Sequence, residues 1–411
     1  MMWIFTNKRL WKWMSGPLTG WLNLKPGPLA GLTPAVLASF PKPAQPVNRR
    51  KIRQMGRYVP HWLWRQMQFC SKWYHDFFVR FWPELAGLAW NLLYMEWLLY
   101  VEPGYMKYRE HLAHMFKVAF VAHSLLDCDA FADEVANHQF DESPHFKNWA
   151  SRNAVDLDFL ECAAERRLVV RWAALLASLL HDFGYAYKMR TGLDRQLHRV
   201  YGWVPSLCDG LEPTAACQQA FESSLAMEFI REKVACDNSR LVPDSPAAQR
   251  RRTGFVRDSA PLNHGIASSL FMIQLREDLL RARALNNRLR VALELAAEAA
   301  MIHDMSKLDQ WTGLRTSGTG DPGDAKRRHF LLPTSHVDVP VAVLLMFCDE
   351  LAIWRRPRIE EPPRSRLSGQ VTYKFRPEKT VKAVRVELTP SDLKIELKYS
   401  DPTDQYAQKL H

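Results

Sequence analysis

The chain has 411 residues, of which 47% are hydrophobic and 24% charged; these ordinary values argue against a disordered chain and a repeat fold. Its seven cysteines include no Cys-x-x-Cys pair, which argues against a disulfide framework and a zinc ribbon. The formal charge of +11 is concentrated in residues 1–100, which contain 13 Lys and Arg but only three Asp and Glu. The same residues contain ten of the 15 tryptophans.

This basic, tryptophan-rich region begins with a proline-rich stretch. Seven prolines between positions 14 and 48 exclude a long helix and predict an irregular arm. From Arg49 to Trp82, basic and aromatic residues interleave, which predicts a pair of amphipathic helices whose arginines face water. The alternative is that residues 1–100 bind a phosphate-rich partner, either a nucleic acid or an anionic membrane surface.

Two stretches of the same region bear on localisation. Met1 to Trp13 mixes basic and aromatic residues without a secretory signal pattern, so a cytoplasmic protein is expected. The most apolar window, Leu85 to Tyr100, is shorter than the roughly 20 residues that span a bilayer and is interrupted by Asn91 and Glu96. We interpret it as a core helix, with a helix lying on a membrane surface as the alternative.

From about Tyr105 to Trp354 the apolar pattern is helical throughout and predicts a mainly α protein built as a helical bundle. Four long apolar-rich runs lack internal proline, and most Pro, Gly and Asp lie between them. The four runs are Arg167–Leu180, Ile266–Leu280, Arg288–Ile302 and Val341–Trp354.

The end of the chain changes to a period of two, which is typical of β-strands. Apolar and polar residues alternate over Val371–Phe375, Val384–Leu388 and Leu393–Tyr399, and Thr389–Asp392 predicts a turn. We therefore expect a small C-terminal antiparallel β element. The predicted organisation is an N-terminal region over 1–100, a helical domain over 101–360 and a β-hairpin or small sheet over 361–411.

Six polar side chains stand at the ends or on the apolar faces of predicted helices, where an unpaired imidazole or carboxylate would cost several kcal/mol. Asp349, for example, has Leu345 and Ile353 as helical neighbours. A carboxylate in such a place must be protonated, ion-paired or bound to a metal. The six residues are His114, His181, Asp182, His264, His303 and Asp349.

The order of these residues is more informative than any one of them. His, His-Asp, His, His and Asp follow one another on five predicted helices, with gaps of 67, 82, 39 and 46 residues. Mixed imidazole and carboxylate ligands suit Mn, Fe, Ni, Co or Zn better than Ca. The sequence therefore predicts a site for a divalent transition metal in the helical domain.

The segments that carry these residues resemble the HD superfamily of metal-dependent phosphohydrolases. The resemblance lies around His114, in Leu179-Leu-His-Asp-Phe-Gly-Tyr185 and in Asp349-Glu-Leu-Ala-Ile-Trp-Arg355, and covers roughly residues 105–356. The added His264 and His303 are similar to the two-metal subset of the superfamily, which includes cyclic-dinucleotide phosphodiesterases and di-iron oxygenases. The resemblance implies cleavage of a phosphoester, such as a nucleotide or cyclic nucleotide, by a metal-activated hydroxide.

The resemblance also implies how two ions would be held. Asp182 would bridge the ions, and open positions would take water and substrate. The first ion would be bound by His114, His181, Asp182 and Asp349, and the second by Asp182, His264 and His303.

The identity of the first ligand is open. His111, His114 and His123 all precede the first His-Asp pair. His114 is favoured because Val118 follows four residues later, as in the opening motif of the family.

The frame of the motif, meaning which His-Asp pair and which further residues form it, is open as well. His264, His303-Asp304 and Asp349 form a complete minimal signature, which would leave His181 and Asp182 without a role. The longer frame is favoured because it explains the apolar placement of both His-Asp pairs.

Basic residues beside the His-Asp pairs are candidate phosphate contacts. Lys188 and Lys307 follow the first and second pairs and are predicted to act in catalysis with Asp182, whereas the alternative for each is a solvated charge. Arg250–Arg252, Arg355 and Arg356 are weaker candidates. Two other functions stay open: a di-iron oxygenase, and a nucleic-acid- or membrane-associated protein in which the helical domain senses or acts as a scaffold.

Overall fold

The computed structural model describes the helical body and the terminal sheet. The residues described are 2–5, 9, 10, 13, 61–81, 93, 96, 97, 99, 100, 108, 109, 111–185, 215–236, 254, 256, 263–281, 285–304, 329–331, 339–352, 358, 359, 381–388 and 393–399. The helices are α1 His61–Phe81, α2 Leu112–Leu126, α3 Asp129–Asn137, α4 Pro144–Arg152, α5 Ala163–Leu180, α6 Ala215–Glu222, α7 Leu225–Lys233, α8 His264–Arg281, α9 Asn287–Ile302 and α10 Pro340–Leu351. The strands are β1 Met2–Phe5, β2 Tyr108–Arg109, β3 Val234–Cys236, β4 His329–Leu331, β5 Arg358–Ile359, β6 Val381–Leu388 and β7 Leu393–Tyr399.

The fold is mainly α with a small antiparallel sheet, which confirms the predicted class. Three predicted runs fall inside α5, α8 and α9, because their apolar residues recur at helical spacing without proline. The fourth forms α10, which ends at Leu351; Ile353 and Trp354 lie outside the described residues.

The terminal sheet has three strands in the order β1-β6-β7, all antiparallel. Strands β6 and β7 confirm the two predicted strands, and Val384 and Val386 are buried on one face of β6, whereas Ile395 of β7 is exposed. Strand β1, Met2 to Phe5, pairs with β6. This pairing could not be predicted, because a strand of four residues is too short to show a pattern in the sequence. The run Val371–Phe375 lies outside the described residues.

Two further antiparallel pairings lie in the stretch that we predicted to be helical throughout. Strand β2 pairs with β5, and β3 pairs with β4. Each strand has only two or three residues, too few for a period of two to emerge in the sequence.

The chain divides into two compact units. The first comprises Met1–Cys128 and Phe347–His411, and the second comprises Asp129–Met346. The division falls within α10. The predicted domain boundaries at residues 100 and 360 stay predictions.

The first unit has an aromatic core in which α1 packs on α2. Helix α1 is amphipathic: Met67, Tyr74 and Phe78 are buried, whereas Lys72 faces water. Tyr74 lies 4.3 Å from Phe116 of α2 between ring centroids. The helix agrees with the predicted amphipathic pair as far as it is described; residues 49–60 are outside that part.

The apolar window 85–100 contributes to this core. Its described residues are helical, and Leu93, Leu99 and Tyr100 are buried, as a core helix requires. Glu96 is fully buried and accepts hydrogen bonds from the backbone N–H groups of His111 at 3.2 Å and Leu112 at 2.8 Å. Glu96 thus accepts hydrogen bonds from two of the N–H groups at the start of α2, where the helix itself offers no carbonyl. No helix in the described part of the chain is both long and apolar enough to cross a bilayer.

The second unit is built around α9. Every residue of α9 from Val291 to Ile302 is buried, and α5, α7 and α8 pack against it. Two carboxylates on this central helix have partners: Glu294 pairs with Arg276 of α8, and Glu298 lies 3.0 Å from His145 Nε2. The Arg276 guanidinium offsets part of the cost of burying the Glu294 carboxylate.

Candidate metal centre

Two helices of the second unit end in a His-Asp pair. His181 and His303 are the C-terminal caps of α5 and α9, and their backbone N–H groups bond the carbonyls of Ala177 at 2.8 Å and Ala299 at 3.0 Å. The alanines, four residues back, leave room beside each imidazole. Asp182 and Asp304 follow where each chain leaves the helix.

The two imidazoles are oriented in the same way. Nδ1 of His181 lies 2.9 Å from the carbonyl oxygen of Ser178, and Nδ1 of His303 lies 2.5 Å from that of Ala300. A carbonyl can only accept, so each Nδ1 carries the proton and donates it. This tautomer leaves the lone pair on Nε2, which is how outer hydrogen bonds prepare a histidine to bind metal.

The third imidazole, that of His264, stands at the start of α8. Asn263 caps this helix by accepting the Ile266 N–H at 2.9 Å, and its amide group donates to the backbone oxygen of Asp304 at 3.3 Å. A Cβ at Gly265 would lie 2.5 Å from the Ala300 carbonyl oxygen, so glycine permits the close approach of α8 to α9. The sequence showed no signal for either contact.

The ligand atoms of these residues converge. Nε2 of His264 lies 3.1 Å from Nε2 of His303 and 3.2 Å from Oδ1 of Asp182. Nε2 of His181 lies 3.4 Å from the same Asp182 oxygen, and the ligand atoms of His181, Asp182 and His303 are all within 4.8 Å of one another. Atoms about 2.1 Å from a common ion lie about 3.0 to 3.4 Å apart. The group formed by His181, Asp182 and His303 could therefore hold a metal ion.

Both His-Asp pairs meet at His264, although the sequence offered them as alternatives. Asp182 lies at its Nε2, and Oδ2 of Asp304 lies 2.9 Å from its Nδ1. Burial disfavours the charged ring, but hydrogen bonds and charge attraction from Asp182 and Asp304 outweigh it and raise the pKa of His264. Asp182 and Asp304 thus both contact His264, and the choice between the longer and the shorter frame stays a prediction.

The turn that follows His181 lies along α8. The hydroxyl of Ser268 donates to the His181 carbonyl at 2.5 Å and accepts the Gly184 N–H at 2.7 Å. A Cβ on Gly184 would lie 2.7 Å from the Ser268 nitrogen and closer still to the His264 carbonyl oxygen, so this position needs glycine. The ring of Tyr185 stacks on His264 with centroids 3.9 Å apart. Gly184 belonged to the family-like segment, whereas Ser268 carried no sequence signal.

The first unit contains the other two predicted ligands. Nε2 of His114 on α2 lies 2.6 Å from Oδ1 of Asp349 on α10, and the Asp349 side chain is 22% exposed. Of the alternative first ligands, Nδ1 of His111 lies 3.9 Å from Glu96, and the ring of His123 meets Trp13 edge-on. His114 contacts Asp349, and its choice as first ligand stays a prediction.

Several predicted residues lie outside the described part of the chain. They include both candidate catalytic lysines, so their role stays a prediction, as does metal binding by the six ligands. These residues are Lys188, Arg250–Arg252, Lys307, Arg355 and Arg356.

Fold and site together define a mainly α protein with a buried cluster of histidine and aspartate that could hold a metal ion. Comparisons with protein-family models, with curated proteins and with solved structures found no match. The case for a function therefore rests on the residues of this chain.

Proposed function

We propose that the chain is a metal-dependent phosphohydrolase of the HD superfamily. The observation that supports this most is the convergence in the second unit of His181, Asp182, His264 and His303. The first and last of these residues, His181 and His303, are 122 positions apart in the sequence. Their order alone suggested a shared metal site, and chance burial of histidines does not explain why their nitrogens and a carboxylate oxygen face one another.

The residues of the cluster have distinct tasks in this proposal. Backbone carbonyls orient His181 and His303, and the carboxylate of Asp182 lies between His181 and His264, where it can serve two ions. The surrounding helices bury all four side chains and limit the access of bulk water. One or two ions of Mn, Fe, Ni, Co or Zn would, when bound, lower the pKa of a water nucleophile and neutralise charge on the phosphoryl group.

Metal analysis and a hydrolysis assay test the proposal directly. The full chain is purified, its metal content is measured, and turnover of a generic phosphodiester and of a nucleotide and cyclic-nucleotide panel is followed with added Mn, Co or Ni. We expect at least one ion per chain and metal-dependent hydrolysis of a phosphoester bond that D182N abolishes. D141N, at an exposed ion pair with Arg166, is the matched control. A metal-loaded protein that turns over none of these substrates would contradict the proposal.

A di-iron oxygenase is the second candidate, because four histidines and two aspartates are also that ligand set. Iron content with oxygen uptake in the same preparations would favour it over hydrolysis. We further propose a cytoplasmic location, since the described cysteines Cys70, Cys128, Cys162 and Cys348 form no disulfide. A nucleic acid or anionic membrane partner for residues 1–100 stays a prediction that salt-sensitive retention on nucleic acid or on anionic vesicles would test.

A further inference from the structure

Asp304 is a buried carboxylate that the longer ligand frame leaves without a task. Its side chain is 7% exposed, and Oδ2 lies 2.9 Å from Nδ1 of His264. Its backbone oxygen accepts the side-chain amide of Asn263, the residue before His264. The start of α8 and the end of α9 are thus tied together at the residue that contacts the imidazole.

The two aspartates of the cluster lie on opposite sides of one ring. Asp182 is at Nε2 of His264, the nitrogen that also faces Nε2 of His303, whereas Asp304 is at Nδ1. The two lone-pair directions of an imidazole diverge, so one ion cannot be bound through both. Because the other donors gather at Nε2, that nitrogen faces the ion-binding position.

The position of His264 in its helix explains why it needs such a partner. His181 and His303 end their helices, and each donates Nδ1–H to the carbonyl three residues back. His264 is the first residue of α8, so no preceding helical turn offers it a carbonyl. A carboxylate brought from the end of α9 replaces that missing acceptor, and a charged acceptor also raises the basicity of the ligand.

We propose that Asp304 is a positioning residue, which accepts the Nδ1–H of His264 and so holds the ring with Nε2 toward the ion, whereas Asp182 is a ligand. The stacked ring of Tyr185 fixes the plane of the imidazole, and Asp304 fixes its rotation within that plane. The proposal rests on the proposed function in one respect, that the cluster binds an ion.

Metal titration separates a positioning residue from a ligand. Zn²⁺ and Co²⁺ are titrated into metal-free wild type, D304A, D304N and D182A, with D133N as the control because Asp133 pairs with Arg167 far along the chain from the cluster. We expect D304A to weaken binding by about 10- to 100-fold with unchanged stoichiometry at saturation. The absorption spectrum of bound Co²⁺ should match that of the wild type, since the ligands are the same. D304N should recover part of the affinity because its amide oxygen still accepts, and D182A should lose bound metal.

A measurement without metal keeps this inference distinct from the proposed function. Nitrogen NMR of metal-free protein labelled with ¹⁵N-histidine, recorded at alkaline pH, reports the tautomer of His264. The signals of His264 are those that disappear in the H264Q variant. We expect the Nδ1–H form in the wild type and in D304N, and a mixture in D304A. If the wild type binds no metal, the proposed function fails while the tautomer still decides the role of Asp304. The inference itself is overturned if D304A loses metal stoichiometry as D182A does, or if its affinity and tautomer equal those of the wild type.

Discussion

The ends of α5 and α9 carry the same local structure and differ in one respect. In each helix the C-terminal cap is a histidine whose backbone N–H bonds the carbonyl of an alanine four residues back. The Nδ1–H of this histidine donates to the carbonyl three residues back, and an aspartate follows in the sequence. The aspartates nevertheless reach opposite nitrogens of His264. The comparison teaches that a His-Asp pair at a helix end fixes the role of its histidine locally, whereas the role of its aspartate depends on what packs beside it.

The largest expected effect comes from removing one histidine of either pair. H181A and H303A should each lose stoichiometric metal and lower kcat/KM by roughly 10³-fold, because each removes one ligand from the cluster. Metal content by elemental analysis, together with hydrolysis rates, checks this. If H181A keeps metal and activity while H303A does not, the two helix ends are not equivalent and the longer ligand frame is wrong.

The second-largest effect is expected from a substitution in the turn that follows His181 and lies along α8. G184A should lower the free energy of unfolding by about 1 to 3 kcal/mol, because the added Cβ would meet the backbone of His264 and Ser268. Denaturant unfolding measures the change. G254A is the matched control, since a Cβ there has nothing within 4 Å among the described residues, and it should shift stability by less than about 1 kcal/mol. Equal effects at both glycines would contradict the close approach at Gly184.

Adjacent serines on α8 allow a sharper test of the same turn. S268A should cost about 1 to 3 kcal/mol, because it leaves the buried carbonyl of His181 and N–H of Gly184 without their shared partner. S269A removes a buried hydroxyl that has no hydrogen-bond partner in the described part of the chain and should be nearly neutral. Unfolding curves of the two variants give the comparison, and the reverse order of stability would exclude Ser268 as the anchor of the turn.

The smallest effect is expected at His138, which resembles His264 in having a carboxylate at each nitrogen but lies near the surface. Glu142 is 2.8 Å from Nδ1 and Glu134 is 3.1 Å from Nε2. The hydrogen bond to Glu142, with the charges of both carboxylates, outweighs desolvation and raises the pKa of His138 above 6.5. Its stabilisation is therefore complete below the unfolded-state pKa and is lost as pH rises through the folded-state pKa.

Unfolding of wild type and H138Q near pH 5.5 and pH 8.5 tests this sign. The wild type should be more stable than H138Q at the lower pH by about 0.3 to 1 kcal/mol, since exposed ion pairs contribute little, and the difference should shrink at the higher pH. Metal content should be the same in both proteins. A difference that grows with pH would reverse the assigned direction of the pKa.

Much of the helical body could be predicted because the signals are local. The apolar spacing of α5, α8 and α9 and the alternation of β6 and β7 are readable in short windows, and a carboxylate on an apolar helix face demands a partner wherever it lies. Strand β1 could not be predicted, since its four residues acquire their role only by pairing with β6 from the far end of the chain.

The candidate site divides in the same way. The sequence determined that His181 and His303 end long buried helices, because a helix end and its capping hydrogen bonds depend on residues within one turn. Only the tertiary structure decided that Asp182 and Asp304 flank one imidazole from opposite sides, that Gly184 and Gly265 stand where no Cβ fits, and that Ser268 holds the turn. Those relations depend on how closely α8 packs against α9 and against residues 181–185, and such distances are set by contacts between segments far apart in the chain.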